Sequence, residues 1–307
     1  MFLMLLKWIK HYKEYMESSK NTQRFIDKYL HTRIYKKLTE INKDEFDAIV
    51  VGSDQVWRIK YYFGANIKDA YLHFTKGWNI KRIAYAASFG TDKWEYNEQQ
   101  TRECIEAIQE FDFISVREDS GVELCKRYLN VNAVHVVDPT MLLLRTDYEK
   151  LINNSNAEAH QGNLLVYLID ENKENETLLK KIVESYSLTP FKVNSRVENR
   201  NASLEERIQP SVESWLRGFR DAKFVLTDSF HACIFSIIFR KPFVVIGNKS
   251  RGLGRFYSLL KLFDLQDHLV LSSQDFNPDN SYEIPHTVSD KLDYLRKQSI
   301  ELINSNL

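Results

Sequence analysis

The segment FVLTDSFHACIFSIIFRKPFVVIG, residues 224–247, alternates short apolar runs with brief polar turns. Its first run, 223–229, is short and rich in strand-forming residues, which predicts a buried strand. The next run, 230–239, is apolar nearly all round except at His231, which is typical of a buried helix. A second strand is predicted over 242–247. Strand, buried helix and strand together predict a parallel βαβ unit.

The same alternation of short apolar runs and longer helical segments extends over most of the chain. Runs that are apolar on both faces indicate parallel sheets covered by helices. We therefore predict an α/β protein with two Rossmann-like domains that face each other across a cleft. A polar stretch at 144–162 predicts a linker, which divides an N-terminal domain, 1–145, from a C-terminal domain, 146–307. A last helix, about 288–304, is expected to pack back on the N-terminal domain.

Composition excludes several classes of protein. The chain has 307 residues, with 42 Lys and Arg against 42 Asp and Glu, so bulk positive charge does not favour nucleic-acid binding. Cys104, Cys125 and Cys233 are far apart and match no Cys or His ligand spacing, so no metal site is expected. An odd cysteine count without a signal peptide fits the reducing cytoplasm.

Two helical stretches, about 3–19 and 21–40, are predicted before the first strand. No apolar run reaches the roughly 20 residues that cross a bilayer. Residues 1–15 form an amphipathic pattern with lysines opposite the apolar side. This pattern favours a helix that packs on the protein, and contact with a membrane surface is the second interpretation.

Ligands of parallel α/β sheets bind outside the carboxyl ends of the strands. The residues expected there lie at the ends of the predicted strands: Gly52, Ser53, Asp54, Ser88, Gly90, Arg117, Glu118, Asp119, Asp138, Asp228, Ser229 and His231, followed by the 247–255 loop. Arg117 follows an apolar strand, so its guanidinium is expected to reach the cleft. The alternative is a structural ion pair with Glu118 or Asp119.

His231 lies in the first turn of the predicted buried helix, where Asp228 or Ser229 can cap the free amides. The amide end of a helix opposes a positive imidazolium, so His231 is expected to be neutral until an anion binds beside it. A histidine that takes up a proton with its ligand suits general acid catalysis. The alternative is a neutral histidine bonded to a backbone carbonyl.

The loop GNKSRGLGR, 247–255, follows a predicted strand and precedes a helix. Its cations, Lys249, Arg251 and Arg255, together with the amide end of that helix, predict a site for phosphate or carboxylate. The loop is neither a Walker loop nor GxGxxG, so a nicotinamide-dependent oxidoreductase is not expected. A plain surface loop with solvated cations is the alternative.

Five segments in this order resemble the polysaccharide pyruvyl transferase family: IVVGSDQVW (49–57), YAASFG (85–90), ISVREDSG (114–121), VVDPTMLL (136–143) and VLTDSFHACIFSIIFRKPFVVI (225–246). The resemblance implies a glycosyltransferase-B-type fold. It implies transfer of pyruvate from phosphoenolpyruvate to a hexose or hexosamine as a ketal, with no other cofactor. It also implies a bacterial surface glycan or its lipid-linked precursor as acceptor, and a cytoplasmic enzyme that can lie at the inner face of the membrane.

Family members usually open with a strand and an NYGA-like turn before the long helices, whereas this sequence begins at the helices. By position in the family's motifs, Arg117, His231 and Arg251 carry over. The resemblance thus implies an acceptor side in 1–145 and a donor side in 146–307.

Within the implied reaction, Arg117 and Arg251 would bind the donor, with Lys249 and Arg255 as further candidates. His231 would be the proton donor. Asp54, or Asp228 as second choice, would orient the acceptor hydroxyls. Two other hypotheses stay open: a nucleotide-sugar-dependent glycosyltransferase of the same fold, and a glycan-binding relative without catalysis.

Overall fold

The structure is a computed structural model that describes residues 2–62, 66–170, 172–197, 199, 201–248 and 252–307, with side chains from residue 10 onward. The strands are β1 Ala48–Val51, β2 Lys81–Ala87, β3 Phe113–Val116, β4 Val134–His135, β5 Leu164–Tyr167, β6 Pro190–Phe191, β7 Phe224–Thr227, β8 Phe243–Ile246 and β9 Leu269–Val270. The helices are α1 Phe2–Tyr29, α2 Glu98–Ile108, α3 Asp119–Leu124, α4 Arg145–Asn153, α5 Lys173–Tyr186, α6 Leu204–Arg207, α7 Val212–Asp221, α8 Phe230–Phe239, α9 Gly254–Leu262 and α10 His286–Asn306.

The chain forms two compact units, each built on one parallel sheet. The first-sheet unit contains Tyr35–Leu144, Gly247–Leu271 and Ile284–Leu307. The second-sheet unit contains Met1–Ile34, Arg145–Ile246 and Ser272–Glu283. The predicted fold class, an α/β protein with two Rossmann-like sheets, is confirmed.

The first sheet has the strand order β1-β2-β3-β4, and every neighbouring pair is parallel. Its strands are short and its central strand β2 is buried at all positions but one. One face is covered by α2, and the core there includes the fully buried Trp57, which stacks on Tyr71 at 4.8 Å between ring centroids. On the other face, Leu302 and Ile303 of α10 pack against a small cluster around Ile83. Helices on both faces bury the sheet, as an all-parallel sheet requires.

In the second sheet, the strands of the second-sheet unit have the order β6-β5-β7-β8, and each neighbouring pair is again parallel. Both β7 and β8 are completely buried. Helix α8 is buried at every position except His231, as its composition predicts. Aromatic rings fix it to its neighbours, since Phe235 makes edge-to-face contacts with Trp215 of α7 and Tyr148 of α4. The opening segment therefore forms the predicted βαβ unit.

Two predictions about local structure are wrong. The stretch 144–162 is not all linker, because 145–153 forms α4, with Tyr148 and Ile152 buried one helical turn apart. The second predicted helix, 21–40, does not exist as such: α1 continues to Tyr29 and ends there. Beyond it Ile34 is 90% exposed, so a helix there would bury no apolar face and would gain little from tertiary packing.

The packing also divides the chain differently from a single boundary near residue 145. Residues 247–271 and 284–307 pack with the first sheet, and residues 1–34 pack with the second. In the second-sheet unit, α1 contacts α6 and α7, and Glu14 of α1 pairs with Arg207 of α6 at 3.2 Å. Among the residues that the structure describes, no helix combines the length and the apolar character of a membrane span.

Candidate functional site

The carboxyl ends of the four strands of the first sheet carry a cluster of charged and hydroxyl side chains. Because the strands are parallel, these ends lie along one edge of the sheet. The members of this strand-end cluster are Ser53 and Asp54 after β1, Ser88 after β2, Arg117 and Glu118 after β3, and Asp138 after β4. The first-sheet unit thus brings together six of the residues that the sequence places at strand ends.

Arg117 is at the centre of the strand-end cluster. Its side chain is 1% exposed and contacts three carboxylates. Nη1 donates to Asp138 Oδ2 at 2.8 Å, Nη2 to Asp54 Oδ1 at 3.2 Å, and Nε lies 3.5 Å from Glu118 Oε1. Burial opposes the charge of Arg117, but the carboxylates of Glu118 and Asp138 outweigh it and raise the arginine's pKa. The guanidinium therefore joins the ends of three strands as a permanent cation.

The three carboxylates around Arg117 differ in their access to solvent. The side chains of Asp138 and Glu118 are 2% and 3% exposed, whereas that of Asp54 is 65% exposed. Asp138 also accepts hydrogen bonds from the backbone and side chain of Thr140 and from Ser53 Oγ at 3.3 Å. Asp138 and Glu118 are thus fixed inside the protein, while Asp54 presents an oxygen to solvent.

Glu118 is held on its other side by a serine. Ser88 Oγ donates to Glu118 Oε1 at 2.5 Å and accepts from Gly90 N at 3.0 Å. Burial raises the pKa of Glu118, and the neighbouring Arg117 opposes this effect. Arg255 is also close enough to lower that pKa. The Glu118 carboxylate is therefore stabilised by the charges of two arginines.

The end of the 247–255 loop approaches the same edge of the first sheet. At Gly252 φ is +87°, and a Cβ there would lie 2.5 Å from the carbonyl oxygen of Gly90. Helix α9 then begins at Gly254, and Ser258 Oγ accepts from Asp119 N at 2.9 Å. Burial, followed by the charge of Arg117, lowers the pKa of Arg255, and Glu118 opposes the shift. Arg255 thus belongs with the strand-end cluster.

Lys249 and Arg251 lie outside the described residues. The N-terminus of α9 begins after Leu253, an N-cap residue whose side chain makes no capping bond. A helix end of this kind, with an arginine in its first turn, has the amides and the charge that an anion needs.

In the second-sheet unit, Asp228 and Ser229 do not cap α8 as expected. Asp228 instead accepts from the amides of Ile169 and Asp170, at 2.7 and 2.9 Å, which ties the end of β7 to the end of β5. Ser229 occupies the N-cap position, but within the described residues its side chain makes no capping bond, and its own amide donates to Thr227 Oγ1 at 2.9 Å. Asp228 therefore links the ends of two strands by hydrogen bonds.

His231 is half-buried in the first turn of α8, where the sequence predicts it. Its imidazole makes an edge-to-face contact with Phe230, with 5.7 Å between ring centroids. Its position at a strand-to-helix junction fits either role considered from the sequence.

His135, the last residue of β4, links the strand-end cluster to α9. Its Nε2 lies 3.0 Å from the Arg117 carbonyl oxygen and 3.5 Å from Ser258 Oγ. Burial lowers its pKa, the hydrogen bond to the Arg117 carbonyl and the charge of Asp119 oppose this shift, and Lys261 adds to it. Sequence reasoning did not single out His135, because only the sheet places it beside Arg117.

We expect the His135→Gln variant to lose less stability than the wild type between pH 7 and pH 5. The folded protein disfavours protonated His135, while the unfolded chain protonates it near pH 6.5. Unfolding therefore takes up a proton as the pH falls, at up to about 1.4 kcal/mol per pH unit. Urea unfolding of both proteins across this pH range measures the effect. Parallel pH profiles would contradict it.

The sequence placed Asp138 and Glu118 at predicted strand ends but assigned neither a role in the reaction, and it considered Glu118 only as an ion-pair partner of Arg117. The order of the strands, which brings Asp138 beside Arg117, is the missing information. Among the described residues, no group of three or more His, Cys, Asp or Glu side chains is arranged to hold a metal ion.

A sequence model described as polysaccharide pyruvyl transferase matches residues 6–250. The chain belongs to this family. The resemblance predicted from five ordered segments is thus confirmed, and membership makes the protein a transferase. No curated protein matches the sequence.

The solved structures that resemble this one have low sequence identity to the chain. Sucrose-phosphate synthase from Thermosynechococcus elongatus has 12% identity and a TM-score of 0.46, over 81% of this chain and 76% of that one. UGT89C1 from Arabidopsis thaliana has 13% identity and a TM-score of 0.40, over 88% of this chain and 68% of that one. Likeness at this level supports no inference about activity.

Proposed function

We propose that this family member transfers pyruvate from phosphoenolpyruvate to a hexose or hexosamine of a bacterial surface glycan, as a ketal. The proposal rests on family membership together with the strand-end cluster, in which a solvent-exposed carboxylate is held by a buried arginine beside the start of α9. The reaction needs these two features, an anion site for the donor and a carboxylate for the acceptor hydroxyls.

We place the donor's anionic groups at the start of α9, with Arg255 and the adjacent Arg251 and Lys249. Phosphoenolpyruvate carries a carboxylate and a phosphate, and each charge-assisted hydrogen bond contributes roughly 1.5–3 kcal/mol. The amide end of α9 adds backbone donors and a favourable helix dipole, neither of which needs side-chain movement.

The role of Arg117 changes from the one that the sequence suggested. Its guanidinium is already bonded to Asp138 and Asp54 and lies against Glu118, and two of these carboxylates are almost fully buried. A trianionic donor placed directly against this acidic shell would be repelled. We propose that Arg117 is a positioning residue that holds Asp54 toward the acceptor, and that Ser53 and Ser88 act in the same way through Asp138 and Glu118.

The proposed reaction balances without a redox partner or a metal. His231 donates a proton to the methylene carbon of phosphoenolpyruvate, and the C2 carbon becomes electrophilic. One sugar hydroxyl attacks C2 and gives its proton to Asp54. The C–O bond to phosphate then breaks, and a second hydroxyl closes the ketal. Asp54 releases the proton that it accepted, so that one of the two hydroxyl protons returns to His231 and the other leaves on the phosphate product. No cofactor beyond the co-substrate enters these steps.

We expect Asp54→Asn to lower the rate of transfer by about 10²-fold, the lower end for loss of a general base, because the attacked carbon is already strongly electrophilic. Asparagine keeps the size of Asp54 and an oxygen for Arg117. Initial-rate measurement of phosphate release with a hexoside acceptor tests this expectation. A rate equal to that of the wild type would remove Asp54 from the chemistry.

Ligand protection separates this proposal from transfer by a nucleotide-sugar-dependent enzyme. Phosphoenolpyruvate is expected to raise the thermal unfolding temperature, and uridine and guanosine diphosphate-sugars are expected to leave it unchanged. The reverse pattern would favour the glycosyltransferase. Protection by oligosaccharide alone, with no phosphate released from any donor, would identify a glycan-binding relative without catalysis.

The acceptor is proposed to be lipid-linked, which would place the enzyme at the inner face of the membrane. Helix α1 carries the exposed side chains of Tyr12, Tyr15 and Met16 beside several lysines. Exposed aromatic and cationic groups together suit an anionic bilayer surface. We expect the protein to co-sediment with phosphatidylglycerol vesicles and not with phosphatidylcholine vesicles. Failure to bind either kind of vesicle would refute the membrane contact.

A further inference from the structure

A two-lobed groove lies at the carboxyl ends of β5 and β6 in the second-sheet unit. Its larger lobe is a cavity of about 310 Å³ and its smaller lobe a cavity of about 240 Å³. Leu168 and Arg196 line both lobes, so the lobes are adjacent. The ends of neighbouring parallel strands are where α/β sheets bind their ligands. The combined size is that of a site for a small molecule or a short oligomer.

The lining of this groove is rich in uncharged hydrogen-bonding groups. The larger lobe is lined by Asn194, Ser195 and Asn199. The smaller lobe is lined by Asn172 and Asn175, with Asp170, Glu176, Lys192 and Arg196 as its charged groups. None of these residues has a part in the reaction proposed above.

Hydrogen bonds fix the walls of the groove before any ligand arrives. Asn194 Nδ2 donates to the Leu168 carbonyl at 2.9 Å, between the two strand ends. Asn175, which is 4% exposed, donates to the Asp170 carbonyl at 2.7 Å. Asp228 holds the amides of the same turn from the other side. Preorganised polar groups of this kind lower the ordering cost of binding.

The charges of the groove exclude a strongly anionic ligand. The two carboxylates, Asp170 and Glu176, balance the two cations, Lys192 and Arg196. Arg196 is in addition paired with Glu206 at 3.1 Å, so a phosphate or a polyanion would find no net positive site here. Amides, hydroxyls and carboxylates instead match a neutral polyhydroxylated ligand, whose hydroxyls both donate and accept.

We infer that the groove binds two consecutive sugar rings of an oligosaccharide, one in each lobe. This inference is independent of the proposed function, because the chemistry of the groove does not involve phosphoenolpyruvate.

Saturation-transfer NMR and calorimetry with disaccharides test the inference on the full chain without any donor. The probes are cellobiose, lactose, a mannose disaccharide and chitobiose, each beside its monosaccharides. At least one disaccharide is expected to bind on the order of tenfold more tightly than its own monosaccharides, a difference of about 1.4 kcal/mol. Failure of every disaccharide to bind, or equal affinity for monosaccharides, would overturn the two-lobe site.

Three tryptophan variants identify the location. Ser195→Trp fills the larger lobe and Glu176→Trp the smaller one, whereas Asn201→Trp adds the same ring to an exposed position that lines neither lobe. The first two are expected to abolish the preference for the disaccharide, and the third to retain it. Retained preference in Ser195→Trp and Glu176→Trp would place the sugar elsewhere. Phosphate release from phosphoenolpyruvate tests the proposed function separately, so the two failures are distinguishable.

Discussion

Arg117→Ala is expected to lower the free energy of unfolding by about 3–5 kcal/mol, the cost of leaving buried charges without their partner. Arg117 is the cation that contacts both Asp138 and Glu118, and these two carboxylates are 2% and 3% exposed. Removing it leaves two carboxylates in a place where water cannot solvate them. Urea unfolding at pH 7 measures the loss.

The same variant is expected to recover part of its stability as the pH falls. Burial raises the pKa of Glu118, and Arg117 is the strongest influence that lowers it. Without Arg117 the folded protein protonates Glu118 more readily than the unfolded chain does. Unfolding then releases a proton, so the deficit of Arg117→Ala relative to wild type shrinks between pH 7 and pH 5.

Asp54→Ala is the matched control for Arg117→Ala. It removes a partner of the same guanidinium, but the Asp54 side chain is 65% exposed, and an exposed pair contributes about 1 kcal/mol or less. If both variants lose the same small amount, Arg117 is not the cation that stabilises the buried carboxylates, and its proposed positioning role fails with it.

His231→Gln is expected to lower the rate of pyruvyl transfer by about 10²–10⁴-fold, which is the range for loss of a general acid. Glutamine is similar in size and forms hydrogen bonds, but it has no proton to give at neutral pH. Because His231 is half-buried in the first turn of α8, the substitution removes its ring contact with Phe230 but leaves the buried apolar residues of that helix unchanged. Affinity for the donor should change much less than the rate.

The matched control for His231→Gln is His160→Gln in the same unit. His160 is half-buried like His231, its ring stacks on Phe191 with 5.0 Å between ring centroids, and its Nε2 contacts the Ser214 carbonyl at 3.0 Å. Transfer by this variant is expected to equal that of the wild type. Equal transfer by His231→Gln would show that another group supplies the proton.

Much of the fold follows from local sequence. The apolar helix 230–239 and its flanking strands have one stable arrangement, because a helix that is apolar all round must be covered on every side. The polar residues after each strand could likewise be predicted to lie at one edge, since parallel strands end together. Ser53, Asp54, Ser88 and Arg117 meet for this reason.

The remaining features depend on contacts between distant segments. The sequence shows that Arg117 and Asp138 follow strands, but only the order β1-β2-β3-β4 makes them neighbours. The packing of residues 247–271 on the first sheet likewise depends on close approach at Gly252 and on the bond between Ser258 and Asp119. Neither contact produces a periodic pattern in the sequence from which it could be predicted. Helix α4 could not be predicted because its apolar pattern consists mainly of Tyr148 and Ile152, and the polar residues that follow it favoured a linker.

Mass spectrometry of the acceptor tests the central claim most directly. The protein is incubated with phosphoenolpyruvate and nitrophenyl hexosides, or with lipid-linked hexose, and the sugar product is analysed. We predict a product that is heavier than the acceptor by pyruvate less one water, with one phosphate released for each ketal formed. Release of phosphate without a modified sugar, or transfer of a hexose from a nucleotide-sugar under the same conditions, would contradict the account.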